Sequence, residues 1–391
     1  MKTPSNILFF ARWYPDRYDP MTGLFIKRHA EVVAGFADVA VLYLRAAPDK
    51  PFGYLIEQKV DNKVVSITVF YGTKSVLPSF VAKPLAGFMF VTAFMKGYRF
   101  LLNNWHRPDI IHVNVLTRLG LFALALRWFR GTRYVITEHW SRYLPITGTY
   151  TGLFRKFLTK LVVRNADAVS TVSKNLALAM QSHGLNNKHY MILPNVVDTD
   201  AYTIARVKPA GGKKRFIHIS CFEDRSKNIT GLLHTISNLA KLRDDFECIM
   251  VGEGMDFEEM KSIAVQLGLK EPQIRFTGLL ENGDLVAAYQ SAAFMVMFSY
   301  YENMPVVISE SLSCGLPVLA TSVGGIPEYI TSANGRLVSA GDETALLNAI
   351  CFMLDHSSDF DRNQIRQNAV EIFSKQAIAN KFREFYTYVK Y

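Results

Sequence analysis

The sequence predicts an α/β protein of two tandem domains, each a parallel sheet wound with helices on both faces. Three observations carry this. Short apolar runs alternate with helix-period segments along nearly the whole chain. A stretch rich in Pro, Gly and charge, Lys208-Pro-Ala-Gly-Gly-Lys-Lys-Arg215, interrupts the alternation near its middle. At 391 residues the chain exceeds what one hydrophobic core ordinarily organises.

The elements follow in order. An apolar strand over 6–10 leads through a Trp-Tyr-Pro loop and Asp19-Pro-Met-Thr-Gly23 into a helix over 24–33. Strands at 39–44 and 64–71 come next. The aromatic stretch 78–104, dotted with Lys83, Lys96 and Arg99, reads as one or two amphipathic helices. The alternation then becomes regular: strand 109–113, helix 118–129, strand 134–137, helix 154–164, strand 168–172, and helix 176–183 closed by Gly184. Beyond the linker, strands at 216–220, 247–251, 274–277, 294–298 and 318–320 enclose helices such as 230–242 and 257–267. Three helices, 344–354, 361–373 and 375–388, finish the chain. The arrangement is that of two Rossmann-like domains, whose ligands sit beyond the carboxyl ends of the strands, in a cleft between the domains.

The chain is organised around Ser299-Tyr-Tyr-Glu302-Asn303-Met304-Pro305-Val306-Val-Ile-Ser-Glu310. A buried strand feeds a helix here, and two carboxylates bracket the junction. Pro305 suits a first helical turn and Asn303 an N-cap before it. A helix start at a strand end is a ready anion site, because free amides and the helix dipole face the ligand. The plainer reading is an ordinary strand-loop-helix unit with two solvated glutamates.

Composition narrows the classes. A hydrophobic content of 49% with 20% charged residues is globular, which argues against disorder. Cys221, Cys248, Cys314 and Cys351 form no C-x-x-C pair and no zinc-spaced cluster with histidine, so reduced thiols in the cytoplasm are expected. The run 7–11 is too short for a signal peptide, and the longest apolar run, 85–95, is too short to span a bilayer, so no transmembrane helix is expected. Charge is uneven: residues 1–200 hold 25 Lys and Arg against 12 Asp and Glu, and 201–391 hold 19 against 22. A basic first half suits an anionic partner, whether nucleic acid, membrane or phosphorylated substrate, or is a solvated surface.

Nucleotide fingerprints are mostly missing. There is no P-loop, and Gly252-Glu-Gly254 lacks the third glycine of G-x-G-x-x-G, which leaves a tight turn as the better account. Asp198-Thr-Asp200 reads as a turn, not a metal site. Ser220-Cys-Phe-Glu-Asp-Arg225-Ser-Lys227-Asn228 follows the first strand of the second half, where such domains meet phosphate. Lys227 as a point charge and Arg225 as a fork would serve there, against the alternative of a solvated loop. His139, after the strand over 134–137, is placed to face a substrate hydroxyl or to be structural. Gly23 would clear a ligand's approach or make a helix-entry turn.

Together these residues resemble the retaining GT-B glycosyltransferases of family 4. Glu302, seven residues and Glu310 match the E-x7-E motif, flanked by Gly315-Leu-Pro317 and Thr321-Ser-Val-Gly324-Gly325-Ile-Pro327-Glu328. Pro194-Asn-Val-Val-Asp198, Val251-Gly-Glu-Gly254, Phe276-Thr-Gly278, Pro108-Asp-Ile-Ile-His112 and Thr137-Glu-His139 extend the match over the whole chain. The resemblance implies an N-terminal acceptor domain over 1–198, with 374–391 packing back on it, and a donor domain over 199–373. It implies that Glu310 holds the ribose of a UDP- or GDP-sugar and that Glu302 holds the transferred sugar. The amides around Asn303, Met304, Pro305 and Val306 would face sugar and diphosphate, although Pro305 has no N–H. Lys227 would neutralise the leaving diphosphate, His139 would lie near the sugar hydroxyls, and Gly23 would let a loop close on the diphosphate. Where the family usually has an arginine this chain has Cys221, and Arg225 is the candidate substitute. No metal or other cofactor is expected.

The basic half and its aromatic helix suggest a lipid-linked saccharide acceptor in cell-surface polysaccharide assembly. The protein would then be cytoplasmic, with peripheral contact to the anionic inner face of the membrane. Two other readings share some features: a nucleotide-sugar 2-epimerase of the same architecture, and a basic nucleic-acid binder, for which no reading motif is present.

Overall fold

A computed structural model of the chain describes residues 5–47, 49, 53–72, 79–116, 118–205 and 212–389, with side chains from 82 onward in the stretch that begins at 79. Residues 208–211 of the expected linker fall outside these. The chain forms two compact units. One comprises Met1–Val172, Ala177–Leu193 and Ile378–Tyr391, the other Ser173–Leu176 and Pro194–Ala377.

The first unit holds eight strands: β1 (Asn6–Ala11), β2 (Asp38–Ala47), β3 (Tyr54–Asp61), β4 (Val64–Gly72), β5 (Ile110–Asn114), β6 (Arg133–Glu138), β7 (Val169–Thr171) and β8 (Tyr190–Ile192). Their spatial order is β3-β4-β2-β1-β5-β6-β7-β8. All neighbours are parallel except β3 and β4, an antiparallel hairpin turned at Asn62-Lys63, both with positive φ. The strand β3 was not expected. It is a largely uncovered edge of mixed polarity, without the apolar run that marks the buried strands beside it.

The aromatic stretch forms one helix, Ser79–Asn104. Its part Ala82–Asn104 is long and apolar enough to cross a membrane by length and composition, a test that a core helix also passes. Here Met89, Ala93, Phe94 and Leu101 are buried, and Phe94 stacks on Phe122 and meets the edge of Phe10. At the other end of the chain, Tyr386 of the Lys375–Thr387 helix bonds to His112 Nδ1 at 2.8 Å, and Phe382 and Phe385 pack around the same ring. Burial, reinforced by His29, holds His112 well below the usual histidine range, so this contact is a neutral core bond.

The second unit is a six-stranded parallel sheet of β9 (Lys214–Ile219), β10 (Phe246–Val251), β11 (Ile274–Gly278), β12 (Phe294–Met297), β13 (Val318–Thr321) and β14 (Gly335–Val338), in the order β11-β10-β9-β12-β13-β14. Phe216, Phe246 and Phe294 stack across the sheet as the centre of its core. The strand β14 is an addition to the expected elements, and Asn282–Ser291 is one of the helices expected between the strands. In both units the strand order reverses beside the first strand of the sheet, β1 in one and β9 in the other, and such a reversal opens a crevice at the carboxyl ends.

Candidate active site

In the second unit the crevice lies between β9 and β12, and two loops run into it. After β9 the chain makes a short helix, Asp224–Lys227, and after β12 it runs through Ser299–Pro305 into the Val306–Ser313 helix. The Tyr300 N–H donates to the Ser226 carbonyl at 2.8 Å, which ties the loops together. Lys227 Nζ then meets Glu302 Oε1 at 2.5 Å, and Ser299 Oγ donates to the same oxygen at 2.9 Å. Both side chains are largely buried. Burial opposes the Lys227 charge, but Glu302, Cys221 and Glu223 outweigh it and raise its pKa, so the ammonium is a fixed cation of the crevice.

His218 on β9 underlies this loop. Its Nδ1 faces the Val296 carbonyl at 3.1 Å, and since a carbonyl only accepts, Nδ1 carries the proton. Nε2 therefore accepts from Ser220 Oγ at 2.9 Å, and Ser220 Oγ accepts from the Phe222 N–H at 3.3 Å. Burial, partly offset by the Val296 bond, lowers the pKa of His218 to about 4, so this tautomer persists at neutral pH.

Glu310 lies one turn into the Val306–Ser313 helix and is 3% exposed. The hydroxyl of Tyr289, from the Asn282–Ser291 helix, lies 3.2 Å from Glu310 Oε2 and 3.1 Å from the Val307 carbonyl. Burial, followed by Glu310 itself, raises the Tyr289 pKa well above the phenol range, so Tyr289 is a donor that fixes this carboxylate. Its only sequence signal is a lone aromatic in a segment of weak helical period.

The helix start differs from expectation. Pro305 occupies the N-cap position itself, with ψ 128°, and no side chain caps the helix. Asn303 is two residues too early. Met304, preceding a proline, is pushed toward extended backbone, so the helix cannot begin there, and Pro305 is itself extended, so the first helical residue is Val306. The Asn303 carbonyl instead accepts from the Gly325 N–H at 2.7 Å. Gly324 has φ +56°, and a Cβ there would run into the Glu302 carbonyl. The Gly-Gly flank of the motif is therefore the surface on which the Glu302 loop rests. Met304 is buried, and its carbonyl accepts from Asn195 Nδ2 at 3.2 Å, which gives the Pro194–Asp198 match a local reason. Helix geometry leaves the first amides, of Val306 and Val307, without intrahelical partners, while that of Ile308 donates to the Pro305 carbonyl at 3.2 Å. Arg225 is exposed, and among the described residues it makes no ion pair.

Two of the expected residues belong to the first unit. Gly23 is the N-cap of the Leu24–Val33 helix at φ +69°, and a Cβ there would collide with the Trp13 carbonyl, so backbone packing alone demands glycine. His139 follows β6, its ring 4.6 Å from Phe25 and 5.4 Å from His29, both on that same helix. Glu138, which had no assigned role, organises this loop. Its Oε1 accepts from the N–H groups of His139 and Trp140 at 2.9 and 2.8 Å, and its Oε2 from Leu116 N–H at 2.8 Å. Full burial pushes its pKa up to about 7 against these three bonds and Arg142.

Comparison with known proteins gives a consistent picture. Residues 38–201 match the model of Glycosyltransferase Family 4, and residues 203–371 that of Glycosyl transferases group 1. The chain is 24% identical over 291 residues to the N-acetyl-alpha-D-glucosaminyl L-malate synthase of Bacillus anthracis, covering 71% of this chain and 74% of that one. It is 26% identical over 245 residues to the N-acetylgalactosamine-N,N'-diacetylbacillosaminyl-diphospho-undecaprenol 4-alpha-N-acetylgalactosaminyltransferase of Campylobacter jejuni, covering 61% and 66%. The structure of Anabaena HepE in complex with UDP-glucose superposes with a TM-score of 0.73 at 17% identity, over 98% of this chain and 100% of the other.

Proposed function

The chain belongs to the glycosyltransferases of family 4 and has the GT-B fold; from that premise we propose that it transfers a sugar, with retention, from a UDP- or GDP-sugar to a lipid-linked saccharide acceptor. The observation that carries the donor half is the Lys227–Glu302 pair at the strand-order reversal of the second sheet, with Glu310 beyond it on the helix. Glu310, fixed by Tyr289, accepts from the ribose hydroxyls. Glu302 accepts from hydroxyls of the transferred sugar. The Lys227 ammonium and the first-turn amides of the Val306–Ser313 helix stabilise the negative charge that gathers on the diphosphate as the anomeric bond breaks.

In this reading the acceptor oxygen attacks the anomeric carbon from the face the diphosphate leaves, and its proton passes to the departing diphosphate oxygen. The positive potential comes from Lys227 and backbone, so no metal takes part. His139 positions the sugar, and Gly23 lets the loop after β1 approach. The acceptor reading is supported by the basic first half and by a relative whose name specifies a diphospho-undecaprenol acceptor. It places the protein in cell-surface polysaccharide assembly, cytoplasmic and peripheral to the inner membrane face.

A thermal-shift screen of UDP- and GDP-sugars on wild type and Glu310→Ala tests the donor assignment. One nucleotide series should raise the unfolding temperature of wild type and not of the variant. A null result with every nucleotide sugar, or equal binding by the variant, overturns it. Retained anomeric configuration in the product and full activity in EDTA are the accompanying expectations.

A further inference from the structure

The first unit carries a pocket of about 670 Å³ that the donor chemistry does not use. It lies at the strand-order reversal of the first sheet, where the loops leaving β1, β5 and β6 diverge. Each of these loops brings an arginine just past its strand: Arg12 after β1, Arg118 after β5 and Arg142 after β6. A fourth, Arg155, reaches in from the Leu153–Asn165 helix. No carboxylate is among the residues that line the pocket, and among the described residues none of the four arginines makes an ion pair.

The cations lie close enough to repel one another. Burial lowers the pKa of Arg142, and Arg155 and Arg12 depress it further, against Tyr143 and Glu138, which raise it. Two are braced by rings: Arg142 lies 3.4 Å from the Trp140 ring centroid and Arg118 5.4 Å from that of Phe90. By contrast, Arg127 and Arg133 of this unit are neutralised by Asp167. Four guanidinium groups around one concavity, with Glu138 as the carboxylate that acts on Arg142, create a positive potential, and their planar forks match phosphate oxygens.

We propose that this pocket binds a phosphate or diphosphate group of the acceptor, so that the substrate class is a phosphorylated or diphosphate-linked saccharide; this rests on the transferase reading above. The rim adds a second property. Phe154 lines the pocket, and its helix also exposes Leu153 and Phe157, at 88% and 62%. Phe90 lines it from the Ser79–Asn104 helix. An anionic head flanked by apolar side chains suits an amphiphile, with the diphosphate in the pocket and the chain beside it.

The test is calorimetric binding of inorganic pyrophosphate and of a short prenyl diphosphate to the full chain, with excess nucleotide diphosphate filling the donor site. The comparison is between wild type and R142Q/R155Q, with unfolding temperature as the folding control. Wild type should bind both probes, and the double variant should bind them at least about tenfold more weakly. Equal binding by both proteins, or none by wild type, overturns the proposal. Tighter binding of the prenyl probe than of pyrophosphate identifies a lipid diphosphate, and equal affinity identifies a soluble sugar phosphate; both outcomes uphold the anion site. Nucleotide binding measured separately keeps the two readings distinct. It depends on Glu310, and its loss in wild type would defeat the transferase reading while leaving the pocket result standing.

Discussion

Lys227 Nζ and Glu302 Oε1 face each other at 2.5 Å across the seam between β9 and β12, both largely out of water. A buried pair of this kind gives its strongest signal when one partner is removed. Lys227→Met leaves Glu302 with Ser299 as its remaining donor here, and should cost about 3 kcal/mol of stability. It should also abolish transfer. The double variant Lys227→Met/Glu302→Gln removes both charges, and should recover most of the stability and none of the activity. Denaturant unfolding of wild type, Lys227→Met, Glu302→Gln and the double variant measures the coupling, and a double variant no more stable than Lys227→Met would show that the pair is not energetically linked.

Gly324 supports the Glu302 loop by close approach. Gly324→Ala places a methyl group against the Glu302 carbonyl at φ +56°, so the loop must move and activity should fall at least tenfold. Gly268→Ala is the control. Its φ is +75°, yet nothing lies within 4 Å of the added carbon, so it should cost only the left-handed backbone term of about 1 kcal/mol and leave turnover intact. Equal turnover in the two variants would separate Gly324 from the site.

Tyr289 acts through Glu310. Tyr289→Phe removes a hydroxyl 3.2 Å from Glu310 Oε2 and leaves the carboxylate less well oriented for ribose. Loss of one such bond corresponds to about 1 kcal/mol, or roughly fivefold weaker nucleotide binding. The KM for donor should rise with little change in kcat. A fall in kcat at constant KM would place Tyr289 in a different role.

The residues that sequence reading places well are those with a backbone reason. The E-x7-E spacing, its Gly-Gly flank and the lysine after the first strand all mark carboxyl ends of strands, and in the second unit they converge. Tyr289 was illegible because a tyrosine hydroxyl facing a carboxylate depends on a tertiary contact between two helices. The strand β3 was missed because an uncovered edge carries no apolar run. Asn303 fails as a cap because Pro305 disfavours helical backbone at Met304, the residue that would open a helix capped there. The four arginines of the first unit lie 143 residues apart in sequence from first to last, and only the sheet order brings them to one pocket.

Glu138 supplies a pH signature of the loop that carries His139. Its carboxyl titrates near 7 in the fold against an ordinary value of 4.5, with burial as the dominant cause. Between those values the folded protein holds a proton that the unfolded chain has released. The stability owed to this group is therefore complete below 4.5 and is lost as pH rises through 7, an effect on the order of 3 kcal/mol. Glu138→Gln keeps the shape of the neutral acid and cannot ionise. The unfolding temperature of wild type minus that of the variant should therefore decrease as pH is raised from about 5 to about 8. A difference independent of pH would mean that the carboxyl is already ionised throughout, held by the N–H groups of Leu116, His139 and Trp140 against the cost of burial.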